Sequence, residues 1–258
     1  MAYRSATLER GATRPFVFVE LGAGYGHWSF AANAALRQLL PQAERRLLLV
    51  DVVDALGPTI EHLAQINGVP KDALAFHSGY ISGSERLTPS QKRSAQYNQR
   101  IYKTVWATGR GHENRSSVDA APITLRQLFR RYRLPCYIDM VDIDIQGGEY
   151  ASQRAGARSS GGLLTDETVA LLSSTARRVH IGLHGEAAAD SELIRRFEAH
   201  GWSVTWYFPR GRNQSTPWGG VWFADGVLSL LNNGLAPTAR RHGGGEACSL
   251  WQSSQKSN

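Results

Sequence analysis

Asp142, Asp144, Glu149 and His184 in the second half of the chain, with Glu20 and Asp51 in the first, are of the types that move protons, hold cations or bind sugar hydroxyls. The two central acids lie in Tyr137-Ile-Asp139-Met-Val-Asp142-Ile-Asp144-Ile-Gln146-Gly147-Gly148-Glu149. Side chains alternate along a strand, so Asp142 and Asp144 share a face while Ile143 and Ile145 take the other. Acids inside a strand are costly unless paired or functional. An imidazole titrating near neutrality suits a base, which makes His184 the candidate base and Asp144 the residue that orients it or the substrate. Gln146 is assigned to the substrate side. Asp142, Asp144, Glu149 and His184 also make a possible donor set for a divalent cation, but their spacing dictates no geometry, and the favoured reading has no metal. Glu149 is better explained as an anchor for the turn that follows, and His180, one pleat behind His184, as a core residue.

A second constellation is Glu20-Leu-Gly22-Ala-Gly24-Tyr25-Gly26-His27. It falls where an apolar run ends and a helical pattern begins, and its glycines let backbone approach a ligand closely. A dinucleotide fingerprint, G-x-G-x-x-G, would require glycine where this chain has His27. The spacing present is G-x-G-x-G preceded by an acid, which resembles the first motif of class I methyltransferases. A pyrophosphate favours a helix N-terminus without an adjacent acid, whereas S-adenosylmethionine carries an ammonium and a sulfonium and no phosphate. Glu20 suits the second ligand. Asp51, ending the next strand, is the expected acceptor for ribose hydroxyls. Val52 and Asp142 are placed beside the same cofactor, and His77, Ser78, Gly79 and Tyr80 around its adenine.

The elements that must position these residues follow from periodicity. Strands are expected at Phe16 to Glu20, Leu47 to Asp51, Ala73 to His77, Tyr137 to Ile145, Val179 to Leu183, Ser203 to Phe208 and Gly220 to Phe223. Helices are expected at Trp28 to Leu40, Ile60 to Ile66, Leu125 to Arg131 behind a Thr124 cap, Thr165 to Ser174 and Ser191 to His200. Such alternation implies an α/β, Rossmann-like domain with a mostly parallel seven-stranded sheet, helices on both faces, and the last two strands as an antiparallel edge. One domain over residues 1–235 is expected, with a basic insertion at about 82–121 and a disordered tail over 236–258.

A chain of 258 residues with 42% hydrophobic and 20% charged residues can bury a full core, which excludes wholesale disorder. No apolar run reaches bilayer length and the N-terminal residues lack a signal-like apolar centre, so a cytoplasmic location is expected. Cys136 and Cys248, the two cysteines, are read as free thiols. The net charge of +7 is concentrated between Ser82 and Arg133, with eleven Lys or Arg against three acids. This segment also carries Tyr97, Tyr102 and Trp106. It would overhang the cofactor edge and favour an anionic, small-molecule or sugar-like acceptor. Trp106 and Trp218 are the candidate acceptor-wall residues. The same basic and aromatic composition makes an RNA methyltransferase the main alternative, although no separate RNA-binding module is visible. A cofactor-binding protein without catalysis is another. Membrane partners are not expected, and the oligomeric state is open.

Asp144-Ile-Gln146-Gly147-Gly148-Glu149 resembles the signature of the FkbM family of methyltransferases. Ile123-Thr-Leu-Arg-Gln-Leu-Phe129 resembles that family's helix ahead of the same strand. His180-Ile-Gly-Leu-His184-Gly-Glu186, Gly201-Trp202 and Asp225-Gly226 resemble a bacterial branch of it. The resemblance spans about Val17 to Asn232 without the basic insertion. It departs at Asp142, where many members carry lysine. It implies S-adenosylmethionine-dependent methylation, with O-methylation of a small-molecule hydroxyl as the expected reaction.

Overall fold

The computed structural model describes residues 14–85, 122–150, 162–216, 219–235 and 248. Trp106, Trp218, most of the basic insertion and all of the tail except Cys248 lie outside them.

Phe16–Leu21 (β1) is an unbroken apolar run apart from Glu20, and all six of its residues are buried. Such a run can be satisfied only at the centre of a sheet covered on both faces. β1 pairs in parallel with Arg45–Asp51 (β2) on one side and with Met140–Ile143, which becomes β6 below, on the other. His27–Leu39 (α1) and Gly57–Ile66 (α2) connect β1 through β2 to Leu74–Ser78 (β3). Beyond them, Ile81–Ser82 (β4) pairs with Ile123–Thr124 (β5). Leu125–Arg131 (α3) starts at a capping box: Thr124 Oγ1 accepts the Gln127 N–H and the Gln127 side chain accepts the Thr124 N–H.

After β6 the chain runs through Asp166–Thr175 (α4), Arg178–Leu183 (β7), Ala187–Ala199 (α5) and Trp202–Phe208 (β8). Arg212–Thr216 (β9) and Gly219–Phe223 (β10) form a hairpin, and Gly226–Asn232 (β11) ends the described fold. The sheet order is β3-β2-β1-β6-β7-β11-β8, with β11 antiparallel to both neighbours. This is a Rossmann-like, mostly parallel seven-stranded sheet. Its antiparallel strand is Gly226–Asn232, not Gly220–Phe223. The latter run is largely exposed and pairs only with β9, because β11 supplies the buried apolar alternation that the slot between β7 and β8 demands.

α1 and α2 cover one face over Phe16, Phe18, Leu47, Leu49 and Met140. α3, α4 and α5 cover the other over Val17, Val19, Val141, Ile143, Val179 and Ile181. The alternation seen in the strands is therefore the division between two cores. Cys136 and Cys248 are joined by a disulfide, which corrects the reading of two free thiols. A separation of 112 residues gives no local signal that the chain returns to bring the two Cα atoms within 4.7 Å. Among the described residues, no helix is long and apolar enough to cross a membrane.

Candidate active site

The carboxyl ends of β1, β2, β3 and β6 border a cleft open to solvent. Gly22, Val50, Asp51, Val52, Gly79, Tyr80, Ile81, Asp144, Ile145 and Gln146 line it. Open parallel sheets bind ligands at this edge because loops there are free of the ladder while remaining anchored by it.

The glycine loop is tied to β2 by Asp51, whose Oδ2 accepts the Gly24 N–H and Oδ1 the Val53 N–H, both at 2.8 Å. Burial raises the Asp51 carboxyl, opposed by the backbone N–H groups of Val53, Gly24 and Val52. Gly22, with φ of +81°, packs against the end of β6, where an added Cβ would stand 1.9 Å from the Asp144 carbonyl oxygen. Gly24 differs: its φ is +52° and an added Cβ would meet no atom within 4 Å. It leaves open space beside Asp51.

Glu20 is placed beneath the loop, 1% exposed, and does not line the cleft. Its carboxylate accepts the N–H groups of Trp28 (3.2 Å) and Ser29 (2.9 Å), filling the N-terminus of α1. Burial, outweighing these bonds, pushes its pKa up to about 7. Glu20, Asp142, His180 and Ser229 occupy matching positions on four adjacent strands and form a buried polar row. Neither Asp142 oxygen has a hydrogen-bond partner among the described residues, and burial with the nearby Glu20 and Asp144 raises its carboxyl well above the usual range. His180 bonds Ser229 Oγ through Nδ1, and burial lowers it to about 4.

Asp144 lies one residue past β6, which ends at Ile143 rather than continuing to Ile145. Its carboxylate lies over Gly182 of β7, where a Cβ would come within 3.0 Å of Asp144 Cγ and 3.2 Å of His184 Cε1. His184 follows β7 directly, with Nε2 3.3 Å from Asp144 Oδ1 and Nδ1 3.2 Å from Glu149 Oε1. Glu149 is fully buried and holds the turn after β6: Oε1 accepts the Ile145 N–H and Oε2 the Gly147 N–H, each at 2.8 Å. Asp225 Oδ2 stands 3.9 Å from His184 Nε2. Burial alone would lower the His184 pKa, but the bond to Glu149 and the charges of Glu149, Asp144 and Asp225 raise it instead. Asp144 is raised by burial, opposed by His184 and by the Gln146 amide that donates to its Oδ1.

The structure thus gathers Asp144, Glu149 and His184, whereas Asp142 belongs to the buried row. Gln146 lines the cleft with φ of +54°. His77 turns its Nδ1 to the Tyr132 hydroxyl at 3.2 Å, Ser78 is exposed, and Gly79 lines the cleft. Burial and the Arg131 charge lower the His77 pKa. Tyr25 is half-buried in the loop outside the cleft lining. Tyr80, expected near the adenine, lines the cleft, whereas Gly182, Asp225 and Arg210, which donates to the His184 carbonyl at 3.1 Å, were not picked out as site residues by sequence reasoning. Asp225-Gly226, and Gly182 within His180-Ile-Gly-Leu-His184, entered only as parts of a resemblance.

No family model matches the chain, and no curated protein matches it. Solved structures with a similar fold include an rRNA methylase from Streptococcus thermophilus (12% identity, 90% of this chain and 94% of that one, TM-score 0.44). Another is magnesium protoporphyrin IX methyltransferase from Synechocystis PCC 6803 with bound S-adenosylmethionine (12%, 90% and 76%, TM-score 0.42). A third is a ribosomal protein L11 methylase from Lactobacillus delbrueckii subsp. bulgaricus (13%, 90% and 78%, TM-score 0.41). The expected membership of the FkbM family is overturned: no family model matches the chain, and the solved structures with a similar fold are methyltransferases of other kinds. The segment that carried the resemblance, Asp144 to Glu149, is a turn closed by its own acid, an arrangement that local hydrogen bonding alone favours. The strand order of the chain itself, with Gly226–Asn232 antiparallel between its two neighbours, is that of a Rossmann-like α/β fold.

Proposed function

We propose that the chain is an S-adenosylmethionine-dependent methyltransferase that acts on a hydroxyl acceptor of small-molecule size. The observation that carries this reading is the filling of the α1 N-terminus by the Glu20 carboxylate. A pyrophosphate would need those N–H groups, and among the described residues none that lines the cleft is Lys or Arg. Asp51 and Asp144 instead make the cleft wall acidic, which suits a cationic ligand with ribose hydroxyls. The open space at Gly24 gives such a ligand room against the backbone.

A bound S-adenosylmethionine would supply an electrophilic methyl group on a sulfonium. Asp51, at the end of β2, is the residue to accept ribose hydroxyls through the lone pairs left over from Gly24 and Val53. Val52, Gly79, Tyr80 and Ile81 would shape the adenine side. Asp144 and His184 form the acceptor end, where a hydroxyl must lose its proton as it attacks. Glu149 holds the His184 ring in one orientation, so that Nε2 faces Asp144.

An RNA acceptor is the second reading, favoured by one observation. The β9–β10 hairpin exposes Trp222 (59%) close in sequence to exposed Arg210 and Arg212, and Arg210 is bonded to the His184 carbonyl. An exposed indole among guanidinium groups is the composition of a base-stacking platform. The test is calorimetry with S-adenosylhomocysteine and NAD, followed by transfer of labelled methyl to hydroxylated small molecules and to total RNA. Binding of S-adenosylhomocysteine without NAD, and label in the small-molecule fraction, is expected. Tight NAD binding alone refutes the methyltransferase reading, and label in RNA alone transfers the acceptor to the second reading.

A further inference from the structure

Glu149 is fully buried and accepts three hydrogen bonds, from the N–H groups of Ile145 and Gly147 and from His184 Nδ1. A carboxylate can only accept, so Nδ1 carries a proton and the ring is held with Nε2 directed away from Glu149. That nitrogen is buried, its side chain 9% exposed, and it has no hydrogen-bond partner among the described residues. Asp144 Oδ1 at 3.3 Å and Asp225 Oδ2 at 3.9 Å converge on it. An imidazole lone pair directed at two carboxylates is repelled unless a positive charge lies between them. A proton on Nε2 supplies one unit against three nearby acids, and Arg210, half-exposed and 3.8 Å from Asp225 Oδ1, offsets only the outer one.

We propose that His184 Nε2, Asp144 and Asp225 form a binding site for a hard divalent cation, Mg²⁺ or Mn²⁺, with Glu149 as the outer partner that orients the histidine. Two donors at right angles on a cation with bonds of about 2.1 Å stand about 3 Å apart, close to the separation of Nε2 from Asp144. One imidazole with carboxylate oxygens is a donor set for such ions rather than for thiophilic metals. The carboxylate–histidine pair fixes the tautomer that leaves Nε2 free to ligate. Asp142, in the buried row with His180, has no part in this site. Bound there, the cation would polarise an acceptor hydroxyl and favour its alkoxide. That role rests on the methyltransferase reading; the binding itself does not.

The test titrates Mn²⁺ into chelator-stripped full-length protein, with the resonance of free Mn²⁺ as readout and no methyl donor present. One saturable site per chain is expected, with affinity lowered at least about tenfold by His184→Ala and by Asp144→Asn, and by about 10- to 100-fold by Glu149→Gln. Absence of a saturable site, or an affinity unchanged in His184→Ala, overturns the proposal. Where His184→Ala does not fold, Asp225→Ala decides, since Asp225 is half-exposed and unchanged affinity there is equally fatal. Parallel calorimetry with S-adenosylhomocysteine separates the two readings. Mn²⁺ binding without it retains the cation site and removes the methyltransferase. The converse removes the cation and leaves His184 as a base.

Discussion

Replacing Gly22 and Gly24 separately with alanine tests two different uses of glycine within one loop. At Gly22 the new Cβ would stand 1.9 Å from the Asp144 carbonyl oxygen and 2.7 Å from its carbon. The loop and the end of β6 must part by about 1 Å to restore contact distance, although the Asp144 N–H is bonded to the Leu21 carbonyl beside them at 2.9 Å. Strain at φ of +81° adds roughly 1 to 2 kcal/mol, and weakening that bond adds about 1, so a total loss of about 2 to 3 kcal/mol is expected. A shift of about 1 Å in Asp144 should also lower turnover about 100-fold. At Gly24 the Cβ meets nothing, so only the backbone cost of roughly 1 kcal/mol applies. The added methyl would, however, occupy space beside Asp51 assigned to the methyl donor. Urea unfolding and S-adenosylhomocysteine calorimetry on both variants provide the check. Gly22→Ala should be the less stable protein, and Gly24→Ala the near-native one with affinity reduced tenfold or more. A Gly22→Ala variant as stable as the parent, or Gly24→Ala with unchanged affinity, would refute the respective assignment.

Asp51→Ala should weaken S-adenosylhomocysteine by about 1 to 3 kcal/mol, since it removes the acceptor assigned to ribose and frees the Gly24 N–H; titration calorimetry measures it. His184→Ala should leave that affinity nearly intact while lowering single-turnover methyl transfer by about 10²- to 10⁴-fold, and a preserved rate would remove His184 from the chemistry. Glu20 titrates at about 7 when folded against an ordinary 4.5, so the folded state binds its proton more tightly and stability falls as pH rises through that interval, by at most about 3 kcal/mol. His180, lowered to about 4, acts with the opposite sign between pH 4 and 6.5, so the informative quantity is the difference between the parent and Glu20→Gln. That difference should move in favour of glutamine from pH 4.5 to 8, and a pH-independent difference would contradict the burial argument.

The fold was legible where pattern and burial coincide. β1, β2 and β7 read as apolar runs because both faces are covered, and α3 was marked by the Thr124 cap. The last strand was misplaced because Gly220 to Phe223 and Gly226 to Asn232 both have strand composition, and only insertion between β7 and β8 distinguishes them. The neighbourhood of Asp144 and His184 followed from strand order. Glu20 was harder to place, because an acid before a glycine loop can face the ligand or turn under the helix, and spacing is the same for both. Asp225 lies 41 residues after His184 in the chain, and its approach depends on the antiparallel return of β11, which no local motif announces.

The Cys136–Cys248 bond makes the second half of the molecule a covalent ring. It encloses β6, β7, β8 and β11, and thus every described residue of the Asp144–His184 cluster, yet Cys136 precedes β6 and so lies toward the edge opposite the cleft. Closing a ring of this size restricts the unfolded chain by about 4 to 5 kcal/mol at room temperature. Reduction would therefore act chiefly on how long the protein survives and little on how fast it works while folded. In a thiol-rich milieu the same cleft edge would be carried by a less durable scaffold, so persistence would register the redox state of the surroundings.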